Sequence, residues 1–176
     1  KIVALLFVLF FLVEPWFSQL ETNHKVVNYS PKLFGGHNQS WKSIQDKNGL
    51  MYFANGDGVL QFDGVAWTLI TTETQTNVLA IAFDESQTLF YGGVGEIGYL
   101  ETKESGLVVP HQIVIESFLE DLNAEFFWNI HIFKNKVIFR SEHFLVIYEA
   151  GKSKVVHLEK FSIKSSTRVE LHSTRQ

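Results

Sequence analysis

The residues able to do chemistry are few, and their spacing assigns them none. The histidines are His24, His37, His111, His131, His143, His157 and His172, and none stands in HxH or HxxxH spacing. That spacing is what sets two imidazoles on one face of a helix or strand, so no metal site is predicted. Asp46-x-Asn48-Gly49 has the start of a calcium loop but lacks the further acids and the closing glutamate, and reads better as a turn. Gly93, Gly95 and Gly98 fall in GxGxxG order. A nucleotide fingerprint must open a helix, whereas a strand is predicted from Ile97 onward. No GxSxG occurs, so there is no nucleophile elbow. Glu120 and Asp121 are adjacent and point different ways, unlike the facing carboxylates of a glycosidase. No catalytic, cofactor or metal residue is predicted.

The elements that would position a site are β-strands. Hydrophobic residues make up 45% and charged residues 19% of the 176, which describes a globular chain. Aromatics reach 14%, led by 16 Phe, and suit pleated, half-buried surfaces. A net charge of −4 with scattered basic residues gives no electrostatic footprint for nucleic acid. The absence of cysteine excludes disulfides, thiolate metal sites and a catalytic thiol.

Residues 1–19 differ from the rest. Lys1 precedes an apolar run from Ile2 to Val13, then Glu14 and Pro15. That is the pattern of a secretory signal peptide, and the run is well short of the ~20 residues that span a bilayer. The chain starts with Lys, which predicts a fragment of a longer protein.

From residue 38 onward, short runs rich in Val, Ile, Phe and Tyr alternate with Gly, Asn and Asp clusters. Ser40 to Ile44, Leu50 to Ala54, Val59 to Phe62 and Ala66 to Ile70 form a predicted four-stranded meander. Asn55-Gly56 and Asp63-Gly64 supply the positive φ of tight turns. Helical spacing is confined to 116–125, expected as a turn or two of helix or a long loop. The meander recurs from Val78 and again from Trp128. The anchors Trp41, Val78 and Trp128 lie about 37 and about 50 residues apart. Four strands per unit at ~40–50 residues is the signature of propeller blades. The predicted class is all-β: a partial β-propeller of about three four-stranded antiparallel blades forming an open arc. Its segments are a signal peptide (1–19), a lead-in (20–37), blades at 38–76, 77–125 with a long connecting loop, and 126–161, and a polar tail (162–176). The tail reads either as a frayed end or as sequence from a shifted frame.

The stretch Asn38-Gln39-Ser40-Trp41-Lys42-Ser43-Ile44-Gln45-Asp46-Lys47-Asn48-Gly49-Leu50-Met51-Tyr52-Phe53, followed by Gly58-Val59-Leu60-Gln61-Phe62-Asp63-Gly64-Val65-Ala66-Trp67, resembles the two-component regulator propeller repeat. The fit loosens in the second unit, where Glu85-Ser86-Gln87 replaces Asn-Gly. It loosens further in the third, where Lys134-Asn135-Lys136 replaces Asp-x-x-Gly. The resemblance covers roughly residues 24–160. It implies a non-catalytic, exported, periplasmic ligand-sensing module, tethered to the membrane in the full-length protein, with remaining blades and a kinase or DNA-binding output outside this chain. A small molecule or glycan fragment is the implied ligand. A polysaccharide-acting propeller enzyme and a protein-binding scaffold are the alternatives. The enzyme would need acids, His and Arg converging on one mouth, and arginine is scarce here: Arg140, Arg168 and Arg175.

Loops held by a rigid scaffold are where binding residues concentrate, so Asn55, Asp57 and Glu96 are the candidate ligand contacts. Trp41, Asp46, Gly49, Gly58, Asp63, Gly64, Trp67, Asp84 and Trp128 are expected to be structural positions of the repeat, with Trp41 and Trp128 filling the space between blades. Trp41, Tyr52, Phe53, Trp67 and Trp128 could otherwise stack on sugar rings. Three blades cannot close a ring, and an open arc exposes an apolar sheet face at each end. The isolated chain is therefore expected to be marginal or self-associated. Sedimentation velocity checks this, and a rigid soluble monomer is the contrary result.

Overall fold

The alternation in the sequence resolves into three four-stranded antiparallel sheets. A computed structural model describes residues 26–115 and 124–158. The predicted signal peptide, the polar tail and the core of the 116–125 stretch lie outside the described residues. The first sheet is β1 (Ser40–Gln45), β2 (Met51–Asn55), β3 (Gly58–Phe62) and β4 (Trp67–Ile70). The second is β5 (Val78–Phe83), β6 (Leu89–Gly93), β7 (Ile97–Thr102) and β8 (Val108–Gln112). The third is β9 (Asn129–Phe133), β10 (Lys136–Arg140), β11 (Phe144–Glu149) and β12 (Lys152–His157). Each sheet pairs its strands in chain order, as blades do. The first strands stand side by side, β1 against β5 and β5 against β9, and the sheets fan outward from them as an open arc. The lead-in adds one short helix, α1 (Pro31–Phe34), which the strand-rich pattern did not predict.

Burial follows position in the stack. The middle sheet has a neighbour on both faces, so every residue of β6 is buried. Strand β1 has no fully buried residue, only the half-buried Trp41 and Ile44, and β9 buries Ile130 and half-buries Ile132. Tyr52, Ala54, Val59 and Ile70 of the first sheet pack against Val78, Ile81, Leu89, Tyr91 and Leu100 of the second. The other interface joins Ala80, Phe90 and Ile97 to Ile130, Val137, Phe139, Phe144 and Val146, with Phe127 wedged beside them. Burying a side chain such as Phe139, with no exposed surface, contributes about 1.5–3 kcal/mol.

The turn between first and second strands depends on an aspartate. Asp46 Oδ1 accepts the N–H groups of Asn48 and Leu50, both at 2.8 Å. In the second sheet Asp84 Oδ1 accepts from Thr88 N–H at 2.8 Å and from the Ser86 hydroxyl at 2.7 Å. Gly49 takes the left-handed conformation (φ 91°), and Gln87 takes the same place at φ 69° without a glycine's freedom. The third sheet replaces this loop with the two-residue turn Lys134-Asn135, since Phe133 pairs directly with Lys136. Asp63 Oδ1 accepts from Val65 and Ala66 in the turn before β4, and those two bonds, Ala66 first, lower its pKa. In the Asn55–Gly58 turn the positive φ falls on Gly58 and not on Gly56. Gly56 is a turn residue for a different reason: the His37 ring lies against it.

The repeat frame needs one correction. Both β1 and β5 carry a bulge at their start, and the register sets Val78 opposite Gly93 as Ser40 is set opposite Asn55. Val78 therefore matches Ser40, and Trp41 falls at the bulge beside Leu79. Trp128 precedes the first paired residue of β9, Asn129, and is 48% exposed. Trp41 and Trp128 are not equivalent, and the aromatic that fills the gap between sheets is Phe127, 1% exposed.

Gly98 shows how closely the middle sheet is filled. The Tyr91 ring lies across it, and an added Cβ would stand 2.3 Å from the His111 carbonyl oxygen and 2.4 Å from the Tyr91 ring and hydroxyl. Gly98→Ala should cost about 1–3 kcal/mol or more, read as a lowered denaturation midpoint, because backbone blocks the methyl on one side. An unchanged midpoint would contradict this packing.

Candidate functional site

In an antiparallel meander, the turns joining second to third strands lie on the same edge as the connections between sheets. That upper edge carries all three predicted ligand contacts. It is tied laterally by a row of hydrogen bonds. Asn77 donates its side-chain amide to the Gly56 carbonyl at 2.8 Å, and the Thr76 hydroxyl donates to the Val94 carbonyl at 2.9 Å. Gly95 N–H donates to the Glu125 carbonyl at 2.7 Å, Phe127 N–H to Gly93 at 3.0 Å, and Val94 pairs with Phe126. The row crosses all three sheets.

Asn55 and Glu96, expected at the ligand surface, are inside it. Asn55 has no exposed surface. Its Oδ1 accepts from His37 N–H at 2.9 Å and Asp57 N–H at 3.1 Å, and its amide donates to the His37 and Gln39 carbonyls and the Ser40 hydroxyl. It fastens the lead-in to the first sheet. Glu96 is 1% exposed. Its carboxylate accepts from the Tyr91 hydroxyl at 2.7 Å, from Thr74 N–H at 3.3 Å and from the Thr74 hydroxyl. Burial, then the Glu96 acceptor and its charge, push the Tyr91 phenol far above its ordinary range, so it stays a donor. Asp57 alone of the three is exposed.

Two pairings on this edge escape sequence reasoning, although Trp128 by itself is among the aromatics that could stack on a sugar. One is a pair 18 residues apart: Glu125 Oε1 and His143 Nδ1 lie 2.7 Å from each other, and His143 N–H donates to Glu125 Oε2 at 3.4 Å. Glu125 is 8% exposed. Burial pushes its pKa up, but hydrogen bonds from Ser141 and His143 and the His143 charge outweigh it, and the net result lies below the ordinary carboxylate value. The other is an aromatic stack: Phe126 and Trp128 are 5.8 Å apart between centroids and 9° from parallel, both nearly half exposed. Alternation sets their rings on one side and buries Phe127 on the other. A flat, exposed stack beside a held His–Glu pair can bind a ring face and offer polar contacts at its edge. Among the described residues no three His, Asp or Glu converge as metal ligands.

The aromatics of the first sheet cluster elsewhere. Trp67 stacks on Phe62 at 4.4 Å and touches Tyr29, Phe34 and Phe53 on the outer sheet face. Its Nε1 is buried without a partner among the described residues.

The class defined by this architecture is an open arc of β-propeller blades. No family model matches the sequence, and neither does a curated protein. Among solved structures, the chain is similar to the extracellular domain of the hybrid two-component system BT4673 from B. thetaiotaomicron, with a TM-score of 0.55 and 11% identity over 78% of this chain and 17% of that one. A second structure of the BT4673 extracellular domain, described as a one-component system, gives 0.59 and 13%, covering 78% and 19%. The extracellular domain of BT3049, a hybrid two-component system from the same organism, gives 0.54 and 11%, covering 76% and 17%. The chain spans less than a fifth of the length of these domains, and the likeness is one of fold. It is the fold that the resemblance to the two-component regulator propeller repeat implies.

Glu125→Gln tests the His143 pair. A folded pKa below the unfolded one stabilises the protein above the ordinary carboxylate range, and that contribution is lost as pH falls through the folded value. The variant should be less stable at neutral pH and lose less on acidification, so the two stability curves converge below pH 4.5, the ordinary value. Parallel curves would mean the pair contributes nothing.

Proposed function

We propose that this chain is part of a non-catalytic, extracytoplasmic ligand-sensing propeller, whose ligand rests on the upper edge at the Phe126–Trp128 stack. The exposed stack, fixed by the hydrogen-bonded row beneath it, is the observation that carries this reading. Unsupported aromatic rings would collapse onto the sheet, whereas here Gly95 and Phe127 backbone bonds hold the segment that bears them. A small molecule or glycan fragment with one flat apolar face suits the stack, with the His143–Glu125 pair and Asp57 as polar contacts around it. The fold likeness to extracellular domains of two-component systems supports sensing, with signal output carried by other parts of a longer protein in the periplasm and across the membrane.

Titration of the full chain with a panel of neutral oligosaccharide fragments, followed by Trp fluorescence, tests the reading. Trp128→Ala and Phe126→Ala should each weaken the responding ligand about tenfold, the loss of about 1.4 kcal/mol of ring contact. Unaltered affinity in both variants would place the ligand elsewhere. Release of new reducing ends during the titration would favour the enzyme.

A further inference from the structure

On the lower edge, opposite the proposed sensing face, the second and third sheets part to leave a cavity of about 380 Å³, within the ~300–1,000 Å³ typical of small-ligand sites. Its origin lies in unequal turns. The first and second sheets both have the longer aspartate-capped loop, and those loops meet: Lys47 N–H donates to Gln87 Oε1 at 3.3 Å, and Tyr52 packs edge-on against Phe83 at 5.4 Å. The third sheet has only Lys134-Asn135 there, so among the described residues no matching loop meets the Asp84 loop from the other side. The opening is floored by Phe90, Ile132, Val137 and Tyr148, and Asp84, Glu85 and Ser86 form one wall.

We infer that this inter-sheet cavity is a second binding site, for a small organic ammonium with an apolar body. Phe90 and Tyr148, 6.1 Å apart and tilted by 58°, line the cavity, and an aromatic ring attracts a cation, the more so when the cation leaves water. Asp84 uses Oδ1 for its own turn, while no bond to Oδ2 is present among the described residues. Glu85 is exposed at the mouth with no ion-pair partner among the described residues. Among the described residues the one cation lining the cavity, Lys134, has its ammonium 5.5 Å over the Phe133 ring. Burial, then the neighbouring Tyr99, raises the Tyr148 phenol, which stays neutral and offers its oxygen as an acceptor. A carboxylate ligand would meet two acids, and a neutral one would leave them unused. The cavity of like volume between the outer strands of the first and second sheets is lined by no charged group among the described residues and makes a natural contrast.

Calorimetry of the full chain with phenethylamine, 3-phenylpropionate and 2-phenylethanol tests the inference. Phenethylamine should bind best and the carboxylate not at all. Glu85→Gln and Asp84→Asn should each weaken the amine about threefold to fivefold, since exposed ion pairs are modest. The amide oxygen introduced by Asp84→Asn can still cap the turn. Glu85 is exposed and makes no hydrogen bond or ion pair among the described residues, so its variant reads binding without unfolding. Equal affinity for the three probes, no binding of the amine, or wild-type affinity in both variants would overturn the site. A loss on Trp128→Ala would show the amine on the sensing face instead, and would overturn it too.

Discussion

The row of hydrogen bonds along the upper edge is what turns three sheets into one body. Apolar faces alone would let neighbouring sheets slide, because hydrophobic contact has no direction. The bonds from Asn77 to Gly56, Thr76 to Val94, and Gly95 to Glu125 tie the turns of the first two sheets to the connections that lead from one sheet to the next. Beneath them sit buried polar side chains, among them Asn55, Glu96 and Glu125, all less than a tenth exposed. A buried carboxylate or amide is tolerable only when its hydrogen bonds are made, so each fixes the loops that satisfy it. Glu96 cannot keep Tyr91 and Thr74 unless the 71–77 connection stays in place. That rigidity allows Phe126 and Trp128 to remain outside.

The sheets were legible in the sequence because their signals are local. Period-two alternation and an aspartate two to four residues before a turn are both visible within a ten-residue window, and Asp46, Asp63 and Asp84 cap turns as the repeat requires. What was not legible depends on segments that meet only after folding. Asn55 and Glu96 are polar residues beside glycines, which reads as an exposed loop. Their burial comes from His37 and Thr74, 18 and 22 residues away. The Glu125–His143 pair is hidden by the same kind of separation. Trp41 and Trp128 misled for a different reason. A bulge at the start of β1 and β5 shifts one residue against its partner strand, and β9 has none. Counting along the chain then aligns the wrong neighbours, and a slip of one residue exchanges the two faces of a strand. Phe127 went inside and Trp128 outside.

The two end faces of the arc differ, and this bears on how it can associate. The outer face of the first sheet is aromatic and partly capped, with Trp67 and Phe62 lying under Tyr29 and Phe34 of the lead-in. The far face of the third sheet is aliphatic, with Ile138, Leu145, Ile147 and Val156 all half-buried and bordered by Arg140, Lys152 and Lys154. The lead-in already fills part of the first face, so the greater unmet burial lies on the third. In a stacked array, stability grows mainly through each new interface, and the middle sheet shows what a second neighbour does: β6 is wholly buried, whereas β9 and β10 are buried on alternate residues. The third sheet has the alternating pattern of an end and the aliphatic content of a middle. Contact between two copies through these unlike faces would be head-to-tail, and such contact either closes into a ring or continues as a filament according to the rotation between successive sheets.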